Sequence, residues 1–199
     1  MEHKGTQTLK TPRLTLRQFA SSDVPAAWRN WCADEAVTRY LTWPPHADET
    51  VTGEVIESWV RGYADPAFYQ WAIELNDLRE PIGSISVVEK DERTGSVSIG
   101  YCIGKRWWRQ GITTEAFRAV IRYLFETVCA KRIEARHNVN NPNSGRVMRA
   151  CGLTYEGTLR QAMVDNQGAA DVCVYSILRS EYDAQKQNQE AGKISHGRI

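Results

Sequence analysis

The stretch with most chemical potential is Ile99-Gly100-Tyr101-Cys102-Ile103-Gly104-Lys105-Arg106-Trp107-Trp108-Arg109-Gln110-Gly111-Ile112-Thr113-Thr114-Glu115-Ala116. An alternating segment ends at Ile103, a basic loop follows, and a helical pattern begins at once. The first turn of a helix has unpaired backbone N–H groups and the positive end of its dipole, which suits a phosphate group. Gly111 lets a ligand approach the backbone, and Arg109 adds a mobile positive charge. A glycine at a helix start also serves packing, so this segment alone leaves both uses open. A second segment, Asn141-Pro142-Asn143-Ser144, precedes Val147 to Leu153. Asn and Ser at a helix start are common caps, and that role would suffice if the segment stood alone.

The surrounding elements must hold these segments. Arg13 to Arg17 alternates as a half-buried strand does. Asp23 can cap a helix carrying Val24, Ala27, Trp28 and Trp31, and Val51 to Tyr63 forms a second amphipathic helix after the Trp43-Pro44-Pro45-His46 loop. Phe68 to Leu75, Pro81 to Val88 and Val97 to Ile103 read as strands, the last two joined by the Asp91 to Gly95 turn. A long helix over 111–128 buries Ala116, Phe117, Val120, Ile121, Leu124, Phe125 and Val128, leaving Arg118, Arg122 and Glu126 to solvent. Arg132 to Val139 is a strand, Ser144 to Ala150 a helix ending near Gly152, and 153–160 and 172–178 a strand pair about the turn at 165–168. The polar segment from Gln185 is expected to be disordered, and residues 1–10 and 183–199 to be flexible termini of one domain over 11–182.

Composition narrows the function classes. The 199 residues fit one domain, with 42% apolar and 25% charged residues and a formal net charge of +1. That charge gives no global case for nucleic acid, though a local basic patch for one phosphorylated ligand would not show in it. The cysteines Cys32, Cys102, Cys129, Cys151 and Cys173 are odd in number and form no C-x-x-C pair, so reduced thiols in a cytoplasmic protein are expected and a metal site is not. Met1 to Lys10 is too polar for a signal peptide, and no run approaches the roughly 20 apolar residues of a membrane span.

Together the two segments resemble the GCN5-related N-acetyltransferase (GNAT) superfamily, in a branch like the ribosomal-protein N-terminal acetyltransferases. The resemblance begins at Thr11-Pro12-Arg13-Leu14-Thr15-Leu16-Arg17, includes Trp43 to His46, and is sharpest from Ile99 to Gly157. It implies an α+β fold with a mixed, mostly antiparallel sheet in which the strand ending at Ile103 splays from its neighbour to leave a V-shaped cleft. It implies acetyl-CoA as cosubstrate and no metal. Backbone of Tyr101, Cys102 and Ile103 would line the pantetheine arm, and that of Arg109, Gln110, Gly111, Ile112, Thr113 and Thr114 would hold the pyrophosphate. Asn141 and Ser144 fall at the family's Asn-x-x-Ser, near the thioester, and Arg149 falls where a basic residue often assists a phosphate. The loop departs from the family pattern at Trp108 and Thr113. Met163 stands where some ribosomal-protein acetyltransferases have a glutamate base, which argues against a ribosomal-protein substrate, or at least against that base, here.

The reaction implied is direct attack of a neutral amine on the acetyl thioester. Ser144 would assist thiolate departure or cap its helix, and backbone N–H groups at Cys102 or Ile103 would receive the developing negative charge. Glu74, Glu89 and Asp165 are candidate bases, with a water relay as the alternative. Trp43 and His46 would wall the acceptor site. The expected partners are acetyl-CoA and an amine acceptor, a peptide N-terminus or a small amine, with a homodimer left open and neither nucleic acid nor membrane. The rival expectation is a non-catalytic CoA-binding or regulatory module of the same fold.

Overall fold

In the computed structural model, which describes residues 1–196, eight strands form one sheet in the order β1-β2-β3-β4-β5-β6-β8-β7. They are β1 (Leu9–Lys10), β2 (Leu14–Arg17), β3 (Gln70–Leu75), β4 (Glu80–Asp91), β5 (Ser96–Ile103), β6 (Arg132–Asn138), β7 (Thr154–Asp165) and β8 (Gly168–Leu178). All neighbours are antiparallel except β5 and β6. The helices are α1 (Val24–Ala27), α2 (Glu35–Thr38), α3 (Glu49–Gly62), α4 (Ile112–Glu126), α5 (Pro142–Ala150) and α6 (Arg179–His196).

The pleat sends alternate residues to opposite faces, and each face has its own core. Trp71, Ile73, Ile85, Ile99 and Ile103 meet Phe117, Val120 and Leu124 of α4. On the other face Ala72 meets Phe19, Trp31, Cys32 and Ile56 from the segments around α1 and α3. A π-helical turn over Trp28–Cys32 widens the end of α1, and the consecutive Trp31 and Cys32 are both buried there.

The splay is explicit in the register. The parallel pairing of β5 with β6 runs from Ser96↔Arg132 to Ile99↔Ala135 and stops, although β5 continues to Ile103 and β6 to Asn138. Gly100 to Ile103 therefore face Arg136 to Asn138 across a gap with no ladder between them.

Both termini depart from expectation. The first ten residues are docked: Thr6 is buried because its hydroxyl donates to the Phe68 carbonyl and accepts from the Gln70 amide, and His3 Nδ1 lies 2.8 Å from Tyr69 Oη. Residues 9 and 10 add a short edge strand. At the other end the helix that begins at Arg179 continues over 185–196, where disorder was expected; Tyr182 packs on Phe125 before it, and Lys186 Nζ is 2.7 Å from Glu126. Residues 197–199 of the expected flexible tail lie outside the described residues. Neither α2 nor β1 was legible, each being too short to establish a period.

Candidate active site

Two clefts open from the splay. The first, about 760 Å³, is lined by Tyr101, Cys102, Ile103, Arg109, Gly111, Ile112, Thr113, Thr114, Asn141 and Ser144 among others. Gly111 is the N-cap of α4, at φ 73° and with no side-chain cap, so the first N–H groups of the 15-residue helix are left for a ligand. Arg109 is also left-handed, at φ 61°, and a Cβ on Gly111 would meet only Arg13 Nη2, at 3.6 Å. An uncapped helix start in an open cradle fits an anion such as a pyrophosphate.

That cradle is braced from behind. Arg13 Nε donates to Glu115 at 2.6 Å and Nη1 to the Gln110 carbonyl at 2.9 Å, while Thr11 Oγ1 donates to Glu115 at 2.6 Å. Burial alone would raise the Glu115 pKa, but the hydrogen bonds from Thr11 and Arg13 outweigh it and hold the carboxyl below its ordinary value. Gln110 thus contributes its carbonyl to the brace and does not line the cleft. Thr11 and Arg13, at the start of the family resemblance, therefore fix the loop.

At the junction, Tyr101 Oη lies 2.9 Å from Ser144 Oγ and donates to the Ser144 carbonyl at 3.0 Å. Burial pushes the Tyr101 phenol well above its ordinary value, so it stays protonated. The backbone reading needs one correction. The Gly104 amide donates to the Ile82 carbonyl. Alternation along the antiparallel ladder then turns the Cys102 amide toward Ser84 and those of Tyr101 and Ile103 into the gap. Cys102 instead presents its thiol to the other face, 3.4 Å from Ser84 Oγ, with its pKa raised by burial. The Ile103 carbonyl accepts from Trp108 Nε1 at 2.8 Å, giving the departing Trp108 a positioning role.

The second cleft, about 690 Å³, lies on the α1–α3 face and shares Tyr40, Leu41, Tyr101, Cys102, Asn141 and Ser144 with the first. Trp31, Trp59, Trp43 and His46 wall it, Ser84, Ser86 and Ser98 lie on its sheet side, and Met163 lines it from β7. His46 Nδ1 is 2.9 Å from Thr52 Oγ1, and burial lowers the His46 pKa. The turn between β7 and β8 reaches over to the loop before α3: Asn166 Nδ2 donates to the Thr38 and Trp43 carbonyls at 2.9 and 2.7 Å.

Several candidates are engaged elsewhere. Glu74 accepts from Arg17 at 2.5 Å, and buried Asp165 accepts from Asn138 Nδ2 at 2.6 Å; neither lines a cleft. Glu89 does line the second cleft, but its side chain is 65% exposed and lies 3.7 Å from Arg136. Arg149 donates to Tyr175 Oη at 2.6 Å; the basic residue that α5 gives the first cleft is Arg146, at helical spacing from Asn143 and Ala150. Arg118, expected in solvent, donates to the Ala150 carbonyl and ties α4 to α5.

The chain matches known acetyltransferases. The family model described as "Acetyltransferase (GNAT) domain" matches residues 13–154. The chain is 32% identical over 171 residues to the "Uncharacterized N-acetyltransferase YoaA" of Bacillus subtilis (strain 168), covering 86% of this chain and 96% of that one. It is 28% identical over 181 residues to the "Ribosomal-protein-serine acetyltransferase" of Escherichia coli (strain K12), covering 87% and 97%. Among solved structures, RimL, a ribosomal L7/L12 alpha-N-protein acetyltransferase in complex with coenzyme A, superposes with a TM-score of 0.78 at 22% identity, over 86% of this chain and 98% of that one.

Proposed function

The chain belongs to the GNAT acetyltransferase family, and on that premise we propose that it acetylates amines already partly neutral near pH 7–8, α-amines above all. It is an acetyl-CoA-dependent N-acetyltransferase. Acetyl-CoA supplies the activated acetyl group; the chain's own residues bind, orient and move protons. The N–H groups at the start of α4 and the cradle of Arg109 to Thr114 bind the pyrophosphate. The gap-facing amides of Tyr101 and Ile103 donate to the acetyl oxygen as negative charge gathers on it. Ser144, whose hydroxyl lies beside Tyr101 Oη, donates toward the departing sulfur. Trp43 and His46 wall the acceptor.

The observation that carries this reading is the junction itself. The two clefts meet where β5 and β6 part, and the Tyr101–Ser144 hydroxyl pair stands there. Incubation with acetyl-CoA and a panel of peptides and amines, followed by thiol release and product mass, tests it. Acetyl-CoA binding without transfer to any amine would favour the non-catalytic module instead.

A further inference from the structure

The second cleft is nearly free of charge. Among the described residues that line it, the ionised ones are Glu89 and Arg136, 3.7 Å apart at its exposed rim. His46 and His137 line it as neutral rings, because burial lowers the pKa of each. Inside, the body of an acceptor therefore meets no counter-charge for a carboxylate or a second ammonium. What the sheet side offers instead is hydroxyl groups. Ser86 and Ser98 line the cleft, and their hydroxyls make no hydrogen bond among the described residues. Ser98 is 8% exposed, and its unpartnered oxygen keeps accessible surface. A hydroxyl carries one donor and two acceptor sites, and leaving them unmet in a wall this buried is costly.

The sheet register gives their spacing. Ser86 pairs with Gly100, the neighbour of Tyr101 at the junction, and Ser98 lies two residues before Gly100 on β5. The two serines are thus diagonal cross-strand neighbours, with Cα atoms about 7–8 Å apart. One six-membered ring with its hydroxyls spans that interval. Trp43 and Trp59, both half-buried, wall the same cleft. An indole face packs on the C–H face of such a ring while the ring's hydroxyls keep their hydrogen bonds.

We infer that the acceptor is an amino sugar with an otherwise uncharged ring. Its amine lies at the junction of the clefts, its hydroxyls on Ser86 and Ser98, and its ring against Trp43 and Trp59. This rests on the acetyltransferase reading and selects among its partly neutral amines: hydroxylated neighbours withdraw electrons and hold an ammonium's pKa below that of a lysine-type amine. The amine nitrogen bonds the acetyl carbon, the C–S bond breaks, and the displaced amine proton ends on the coenzyme A thiol by way of water.

Methyl 2-amino-2-deoxyglucoside and its 4-deoxy and 6-deoxy analogues test this, since each missing hydroxyl is remote from the amine and leaves its basicity alone. Wild-type kcat/KM should fall about tenfold for at least one analogue, as for one neutral hydrogen bond. Ser86→Ala or Ser98→Ala should bring that ratio to about one, with Tm held because neither hydroxyl has a partner among the described residues. A wild type indifferent to both deletions, discrimination that survives both substitutions, or a Tm several degrees lower in each variant would overturn the inference. So would a higher kcat/KM for putrescine or glycylglycinamide than for the glycoside. Transfer to peptides with none to the glycoside would overturn this inference alone; transfer to no amine would overturn the acetyltransferase reading with it.

Discussion

Ser144 stands in the first turn of α5, where a serine usually caps, yet its hydroxyl caps nothing. No side-chain cap closes the helix start, and Ser144 Oγ turns to Tyr101 Oη at 2.9 Å. Stability and catalysis therefore separate at this residue. Ser144→Ala should lower kcat about a hundredfold, the lower range of acid–base assistance, with KM for acetyl-CoA nearly constant. Unfolding free energy should fall by no more than the worth of that one hydrogen bond, about 0.5–1.5 kcal/mol, as chemical denaturation would report. A loss near 1 kcal/mol with kcat intact would return Ser144 to the role of a cap. The position of Ser144 was legible because asparagine and serine recur at fixed spacing. The Tyr101 phenol was not, since a tyrosine on a strand carries no sign of which hydroxyl it will meet across the sheet gap. Cys102 was misread for a related reason: strand periodicity gives the side-chain face but not which edge a backbone amide addresses.

At the scale of elements, the loop before α4 is held by a partner nearly a hundred residues away in sequence. Arg13 reaches both Glu115 and the Gln110 carbonyl. No local pattern announces such a contact; Thr11-Pro12-Arg13 marked the start of the family resemblance and Arg13 the start of a strand, and neither names a partner. Glu115→Gln weakens this brace and should raise KM for acetyl-CoA several-fold with kcat little changed. Gly111→Val should act more strongly, about tenfold or more, because a β-branched residue is strained at φ 73° even though the space is open. Equal falls in kcat and in kcat/KM for Glu115→Gln would show instead that the brace serves the chemical step. The turn at 165–168 gives the matching case on the acceptor side. Asn166→Ala removes two side-chain hydrogen bonds and should cost about 2 kcal/mol, roughly 4–8 °C in Tm. Its KM effect should fall on the amine and spare acetyl-CoA, and calorimetry with acetyl-CoA would check the second half. The long amphipathic helix and central strands were legible because their periods are sustained. The short strand β1, the brief α2 and the docked ends depended on tertiary contacts, Thr6 with Phe68 and Tyr182 with Phe125 among them.

Taken as a whole, the molecule splits its work between the faces of one sheet and joins them at a gap, which decides where a proton can go. An amine must be neutral to attack, so something must take its proton. Glu74 is bound to Arg17, Asp165 to Asn138, and Glu89 sits at the exposed rim beside Arg136. His46 lines the acceptor cleft, and burial lowers its pKa, so it is neutral at pH 7. Met163 lines the same cleft and offers no base. With no carboxylate at the junction among the described residues, water is the simplest acceptor of the proton. The ionisation seen in kinetics should then belong to the substrate. The rising limb of kcat/KM should follow each amine, near pH 8 for an α-amine and about two units higher for a lysine-type amine. A limb fixed below pH 6.5 for every amine would identify His46 as the base, because a lowered histidine pKa places its neutral form above that limb. Met163→Glu separates the cases further: a carboxylate introduced into this cleft should raise activity on the lysine-type amine more than on the α-amine. Equal effects on both would mean that position 163 does not reach the amine's proton.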